Sequence, residues 1–361
     1  VISGLQPTSF QIAGMRALQF SSKTDVNIDA GFGTDTLTVN GLVNVAGNVG
    51  IAAESVIQGA GGQLSADILT FNQATTIGSS SNPLATSVNT LVINGTTVDA
   101  YILEANGIAA SANNISGALS ITTGAGDITS AGTFNVSGTS AFNVGAGGSI
   151  ILDNPANQFS GTPSFSSSGT IDNIVLTDNS DVDLPNLNLA GDLTVVSTGV
   201  VTQAGALSIQ GNTSIDANSN SIILTNAGND FVGTVSLQNS SVSNTAITDA
   251  NTLTLAGSNV GSGTLILSAG AISQSGPFDP LAQPSRISPQ RRNSRGHRLL
   301  PGHARAGRFQ PHRRVGKHDP SDRNTLAAGC PHPCSRTPTS RPEELQRPCP
   351  RRDAPTDAGA F

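Results

Sequence analysis

The chain has 361 residues and a formal net charge of −6, an average that describes neither of its two parts. Residues 1–276 carry two basic side chains, Arg16 and Lys23, against 17 acids, whereas residues 277–361 carry 16 Lys and Arg against seven acids. All five His, all three Cys and 14 of the 19 Pro lie after residue 276; the first part therefore has no thiol, disulfide or imidazole chemistry and too little positive charge to grip nucleic-acid phosphates.

The opening, "VISGLQPTSF", has no Met, no basic start and no apolar run of a signal peptide, and reads as a processed or interior piece. No apolar run approaches the roughly 20 residues of a membrane helix. "AGFGTDTLT" (Ala30–Thr38) resembles one calcium-binding nonapeptide of the β-roll type, in which carbonyls and Asp carboxylates hold the ion. Ala30 replaces the first Gly of that pattern and a single copy is present. Asp35 is thus a calcium candidate, beside the plainer reading of a Gly-rich turn leading into a strand. "LTVNGLVNVAGNVGIAA" (Leu37–Ala53) alternates apolar and polar residues, the period of a half-buried strand. "IAAESVIQ" (Ile51–Gln58) reads as strand rather than as a turn of helix.

Further on, short runs such as Ile150–Leu152, Leu193–Val196, Leu207–Ile209, Ile222–Leu224 and Leu253–Leu255 are Leu-rich or β-branched. Each is closed by Gly, Asn, Asp or Ser, so each reads as a short strand. The chain also repeats itself. "GALSITTGAGDITSAG" (Gly117–Gly132), "GDLTVVSTGVVTQAG" (Gly191–Gly205) and "GTLILSAGAISQSG" (Gly263–Gly276) align, their closing glycines 73 and 71 residues apart. "GSIILDNPANQFSGT" (Gly148–Thr162) aligns with "NSIILTNAGNDFVGT" (Asn220–Thr234), and "VLTDNSDVDL" (Val175–Leu184) with "AITDANTLTL" (Ala246–Leu255).

Frequent short strands fit a sandwich, a barrel or a β-solenoid. A repeat near 72 residues divides into about three coils of roughly 20–25 residues, the unit size of solenoids, and the low aromatic content suits a slim interior. The expected fold is all-β, a parallel β-helix over residues 1–276 with its repeat clearest in 117–276. On this reading the "NxFxGT" corner recurs at the same place on successive storeys. Phe159 and Phe231 then point inward, Gly161 and Gly233 permit a bend at positive φ, and Asn157 and Asn229 adopt left-handed turns or stack into ladders.

The stretches "GSIILDNPANQFSGT", "NDFVGTVSLQNSSVSNTAITDANTLTLAGSNVGSGTLILSAGAISQSG" and "SSSNPLATSVNTLVING" (Ser79–Gly95) resemble the repeat region of filamentous haemagglutinin-like adhesins, exoproteins of Gram-negative bacteria. The resemblance covers about residues 20–276. It implies a right-handed parallel β-helix, secreted or displayed outside the outer membrane through a partner outer-membrane pore, or as an autotransporter-type passenger. It also implies contacts with host-cell or surface glycans or proteins, or with neighbouring shafts. The family's secretion domain is not matched; "DLPNLNL" (Asp183–Leu189) keeps only Pro-Asn-Leu of its motif. The chain is expected to be a structural shaft segment.

Parallel β-helices also build polysaccharide lyases and hydrolases, the alternative reading. Lyase chemistry needs a cation beside the substrate carboxylate, and residues 24–276 contain no Lys, Arg or His. Hydrolysis needs two carboxylates about 5–10 Å apart; Asp178, Asp181 and Asp183 are close in sequence, and Asp249 is the repeat counterpart of Asp178. The expectation is no catalysis, no cofactor and no nucleic-acid partner.

Residues 277–361 lose the strand texture and turn to Pro, Arg and His. They read as a disordered tail, unable to bury enough apolar area to offset chain entropy. A basic tail for nucleic acid or an anionic surface, zinc at Cys330, His332, Cys334 and Cys349, and a Pro-rich linker are competing readings. Another is out-of-frame translation of a GC-rich gene, which would make the chain a frame-disrupted fragment without a function.

Overall fold

The structure, a computed structural model, describes residues 8–12, 18–20, 23–31, 33–280 and 286–289. The described residues contain strands and no helix. Alternation sets which side chains turn inward. Leu119–Thr123, Ile174–Asp178 and Leu193–Ser197 each bury every second residue and leave the residues between half-buried, as a pleated strand with one face on a core requires.

The strands stack in parallel, and the register counts the turns. One column runs Val26, Val49, Leu69, Leu91, Ala110. It continues through the pairs Ala110–Ser130, Thr129–Ile151, Ile151–Val175, Val175–Thr194 and Thr194–Ser214. Ser214–Ser236, Thr234–Thr254 and Thr254–Ser273 complete it. The fold is a β-solenoid of about 12 turns. Side sheets join the main one: Val182–Leu184, Val201–Gln203, Ile222–Leu224, Thr245–Thr248 and Leu265–Ala269 stack in one, and Leu187–Leu189, Leu207–Ile209 and Asp230–Phe231 in another.

The interior is a continuous file of Val, Ile, Leu and Ala, most of them wholly buried. Burying each such side chain contributes about 1.5–3 kcal/mol. Four aromatic rings thicken the file in the middle. Phe159 stacks on Phe134 at 6.1 Å, Phe165 stacks on Phe142 at 6.1 Å, and Phe142 meets Phe134 edge-on at 5.7 Å.

The repeat does not coincide with a whole number of turns, which corrects the expectation that equivalent residues recur at one place. Ile150 stands in a column with Ile174, Leu193, Thr213 and Val235. Its counterpart Ile222 pairs instead with Val201 and Thr245 in a side sheet. Three turns therefore carry Ile150 to Thr213, and the next nine residues carry the chain one sheet onward. The other aligned series behaves the same way: Leu119 pairs with Ala100 and Ser140, Leu193 with Ile174 and Thr213, and Leu265 with Thr245. One repeat is three turns and a third.

Two further differences concern the ends. Thr8–Ile12 pairs antiparallel with Leu18–Phe20 and with Thr36–Asn40, so a hairpin covers the first open strand edge, which would otherwise offer unpaired backbone groups. At the other end the ladder runs past the boundary expected at residue 276. Phe278–Pro280 pairs with Ser258–Val260, and Arg286–Pro289 with Leu265–Ala269. The expectations for the tail beyond residue 289, including Cys330, His332, Cys334 and Cys349, lie outside the described residues.

Candidate functional site

In "NPANQF" and "NAGNDF" the two asparagines have separate tasks. The first makes the turn: Asn154 Oδ1 accepts the Ala156 N–H at 2.9 Å, and Asn226 Oδ1 accepts the Gly228 N–H at 2.9 Å. The second is fully buried. Asn157 Nδ2 donates to the Leu152 carbonyl at 3.1 Å, and its Oδ1 accepts the Phe134 N–H of the turn before at 2.8 Å. Asn229 Nδ2 donates to the Leu224 carbonyl at 3.2 Å, and its Oδ1 accepts the Leu207 N–H at 3.0 Å. Neither adopts a left-handed backbone, and standing in different sheets they form no ladder with each other. They are plugs that satisfy backbone groups at the corner, and their burial keeps them from any ligand.

Phe159 and Phe231 do point inward, at 2% and 1% exposure. Phe159 stacks on Phe134 of the preceding turn rather than on its repeat equivalent, because Phe231 is in another sheet. Gly161 and Gly233 do not have positive φ. Glycine is required there by close approach. A Cβ on Gly233 would lie 2.2 Å from the Gly211 carbonyl oxygen, and one on Gly161 3.1 Å from the Gly138 oxygen. A Cβ on Gly211 would likewise lie 2.6 Å from the Gly191 carbonyl oxygen, so glycines climb the corner turn by turn.

Asp178 and Asp249, also repeat counterparts, sit one turn above these corners at 1% and 0% exposure. Asp178 Oδ1 accepts the Phe159 N–H at 3.3 Å and the Ser180 hydroxyl at 2.9 Å. Asp249 Oδ1 accepts the Phe231 N–H at 3.4 Å and the Asn251 N–H at 3.2 Å. The Oδ2 of each is buried with no partner among the described residues. Burial, partly offset by these hydrogen bonds, pushes the Asp178 carboxyl up to about 6, and burial pushes Asp249 up as well. Glu104 has the same pattern one repeat earlier: fully buried, it accepts the N–H of Asn106, two residues on, at 3.1 Å and that of Val88, in the turn before, at 3.1 Å.

Asp178 and its repeat counterpart Asp249 stand apart. Asp178 closes a strand of the main sheet, while Asp249 follows a strand of a side sheet. Asp181 accepts the Val200 N–H at 2.7 Å and Asp183 the Thr202 hydroxyl at 2.8 Å, each bonding to the next turn. Asp35 has a buried Oδ2 with no partner among the described residues, and its N–H donates to Glu54 Oε2 at 2.9 Å. No group of three His, Cys, Asp or Glu placed to hold a metal occurs among the described residues.

One open feature was not legible in the sequence. A groove of about 350 Å³ lies at the corners that follow Thr213–Asp216 and Thr234–Gln238, lined only by polar residues, among them Asp216, Asn218, Gln238 and Asn259.

Three segments, residues 94–166, 172–238 and 242–279, match the model of a family described as repeats of unknown function (DUF5649). No curated protein and no solved structure matches the chain. The matched segments extend the first visible copy upstream, to residue 94, and leave the third copy partial.

Proposed function

We propose that this solenoid is the shaft segment of a secreted or surface-exposed bacterial adhesin of the filamentous haemagglutinin type. Its work is to hold a polar surface away from the cell and to offer it to glycans or proteins of another surface. The observation that carries this reading is the division of chemistry between inside and outside. Most of the apolar residues pack into one narrow core. The hydroxyls, amides and carboxylates serve turn-to-turn bonds and the outer surface, with no Lys, Arg or His from residue 24 to residue 276. Such a body supplies stiffness and a hydrogen-bonding exterior, and stacking repeats let it lengthen without redesign. The outer-membrane secretion partner belongs to the same proposal.

The test is exposure on intact cells that express the chain in its native context. Added protease should remove it while periplasmic markers survive, and cells lacking it should adhere less to host-cell or glycan-coated surfaces. Full protection from protease on intact cells would end the adhesin reading.

A further inference from the structure

The groove after Asp216 and Gln238 holds hydrogen-bonding groups that the fold does not use. Asp216 pairs with Gln238, and Gln238 with Asn259, so the three side chains stand on successive turns at one strand spacing, about 4.8 Å, apiece. Some of their capacity is spent internally. Asp216 Oδ1 accepts the Asn218 N–H at 2.8 Å, Asn218 Nδ2 donates to the Ser197 carbonyl at 2.7 Å, and Gln238 Nε2 donates to the Gly257 carbonyl at 3.3 Å. Asn239, in the floor, is 3% exposed and bonded on both sides of its amide. Among the described residues, Asp216 Oδ2, Asn218 Oδ1, Gln238 Oε1, the whole Asn259 amide and the Ser219 and Ser240 hydroxyls have no partner. Asn218 turns the chain at this rim in a left-handed conformation, φ 53°, which asparagine tolerates.

The chemistry of the groove selects its ligand. Residues 24–276 offer no cation to bind an anion, and the lining side chains, all of polar type, give an apolar molecule little to bury against. One carboxylate is a poor cage for a divalent cation, which gathers six or more oxygens. Planar carboxylate and amide groups, repeated at one strand spacing, instead match hydroxyl pairs repeated along an extended chain, each hydroxyl both donating and accepting. We infer that the groove binds a neutral oligosaccharide lying along the stacking direction, with successive sugars over Asp216, Gln238 and Asn259. The inference rests on the adhesive reading for its purpose, and on the groove alone for its chemistry.

The whole chain is titrated by calorimetry with neutral hexasaccharides of glucose, mannose, xylose and galactose, with a galacturonate hexamer and with calcium chloride. At least one neutral hexasaccharide should saturate a single site, and the galacturonate hexamer should bind more weakly because it meets Asp216. Asn259→Ala should lower affinity about fivefold, the worth of one neutral hydrogen bond, and leave thermal stability unchanged. Gln238→Ala with Asn259→Ala should lower it further. Failure of all four neutral sugars at millimolar concentration, binding unaffected by the double variant, or saturable binding of calcium alone would each overturn the inference. Loss of cell-surface exposure with sugar binding retained sinks the adhesin and spares the groove; exposure with no sugar binding does the reverse.

Discussion

Asn229 stands in a different sheet from Asn157 and makes the same two bonds, to the carbonyl five residues earlier and to an N–H of the preceding turn. The bonds follow the local sequence, not the side of the solenoid. Replacing Asn157 by Leu leaves the Phe134 N–H buried without its partner, at about 1–3 kcal/mol for an orphaned group, and removes the side-chain bond to the Leu152 carbonyl, which the strand ladder also serves. The expected outcome is a loss of about 1–3 kcal/mol in denaturant unfolding, with the Phe134 amide losing hydrogen-exchange protection first. Asn229→Leu should act alike at Leu207. Wild-type protection at both amides would refute the plug role.

The two glycine corners should respond unequally. At Gly233 an added Cβ meets the Gly211 carbonyl at 2.2 Å, a distance no contact tolerates, so Gly233→Ala must push two turns apart. At Gly161 the corresponding contact is 3.1 Å, which a small shift relieves. Overpacking costs about 1–3 kcal/mol; Gly233→Ala is expected at or above the top of that range and Gly161→Ala below its middle. Thermal melts of the two variants decide it, and equal losses would mean that close approach does not set these positions.

Asp178 and Asp249 give the solenoid an acid-side stability. Both have folded values raised above the ordinary carboxylate range, so the folded state binds protons more tightly than the unfolded chain. Their contribution is complete below the unfolded value near 4 and is lost as pH rises through the folded value, about 6 for Asp178. The melting temperature should therefore fall between pH 4 and pH 7. Asp178→Asn with Asp249→Asn, which keeps the Oδ1 acceptors and removes the charge, should flatten that fall. Parallel profiles for wild type and double variant would show that other groups govern it.

Much of the fold was legible because period-2 burial and a long repeat are both written in residue type. Leu119, Leu193 and Leu265 announce inward strand positions, and "NxFxGT" announces a corner. What the alignment could not show was the turn length. Only pairing reveals that Ile150 lies beneath Ile174, 24 residues on, and not beneath Ile222. The glycines misled for a related reason: Gly161 and Gly233 look like left-handed turns, yet their need arises from a neighbour more than 20 residues away. The groove was invisible because Asp216, Gln238 and Asn259 follow no common motif and meet only when three turns are stacked.

The third of a turn left over in each repeat bears on adhesion. Successive copies of any surface feature face successive sheets, so a feature returns to the same side only after three repeats. Three repeats make ten turns, or roughly 48 Å at about 4.8 Å per turn. The matched segments span two long copies and a partial third, so equivalent patches on this chain never share a side. A flat ligand-coated surface can then engage one copy at a time, and linked contacts raise avidity only when geometry lets them act together. Binding of the single chain to a sugar-coated sensor should show the same dissociation rate at low and at high coating density. A rate that slows with density would mean that several copies reach one surface, and that the one-sheet advance from Ile150 to Ile222 does not govern how this protein meets its partners.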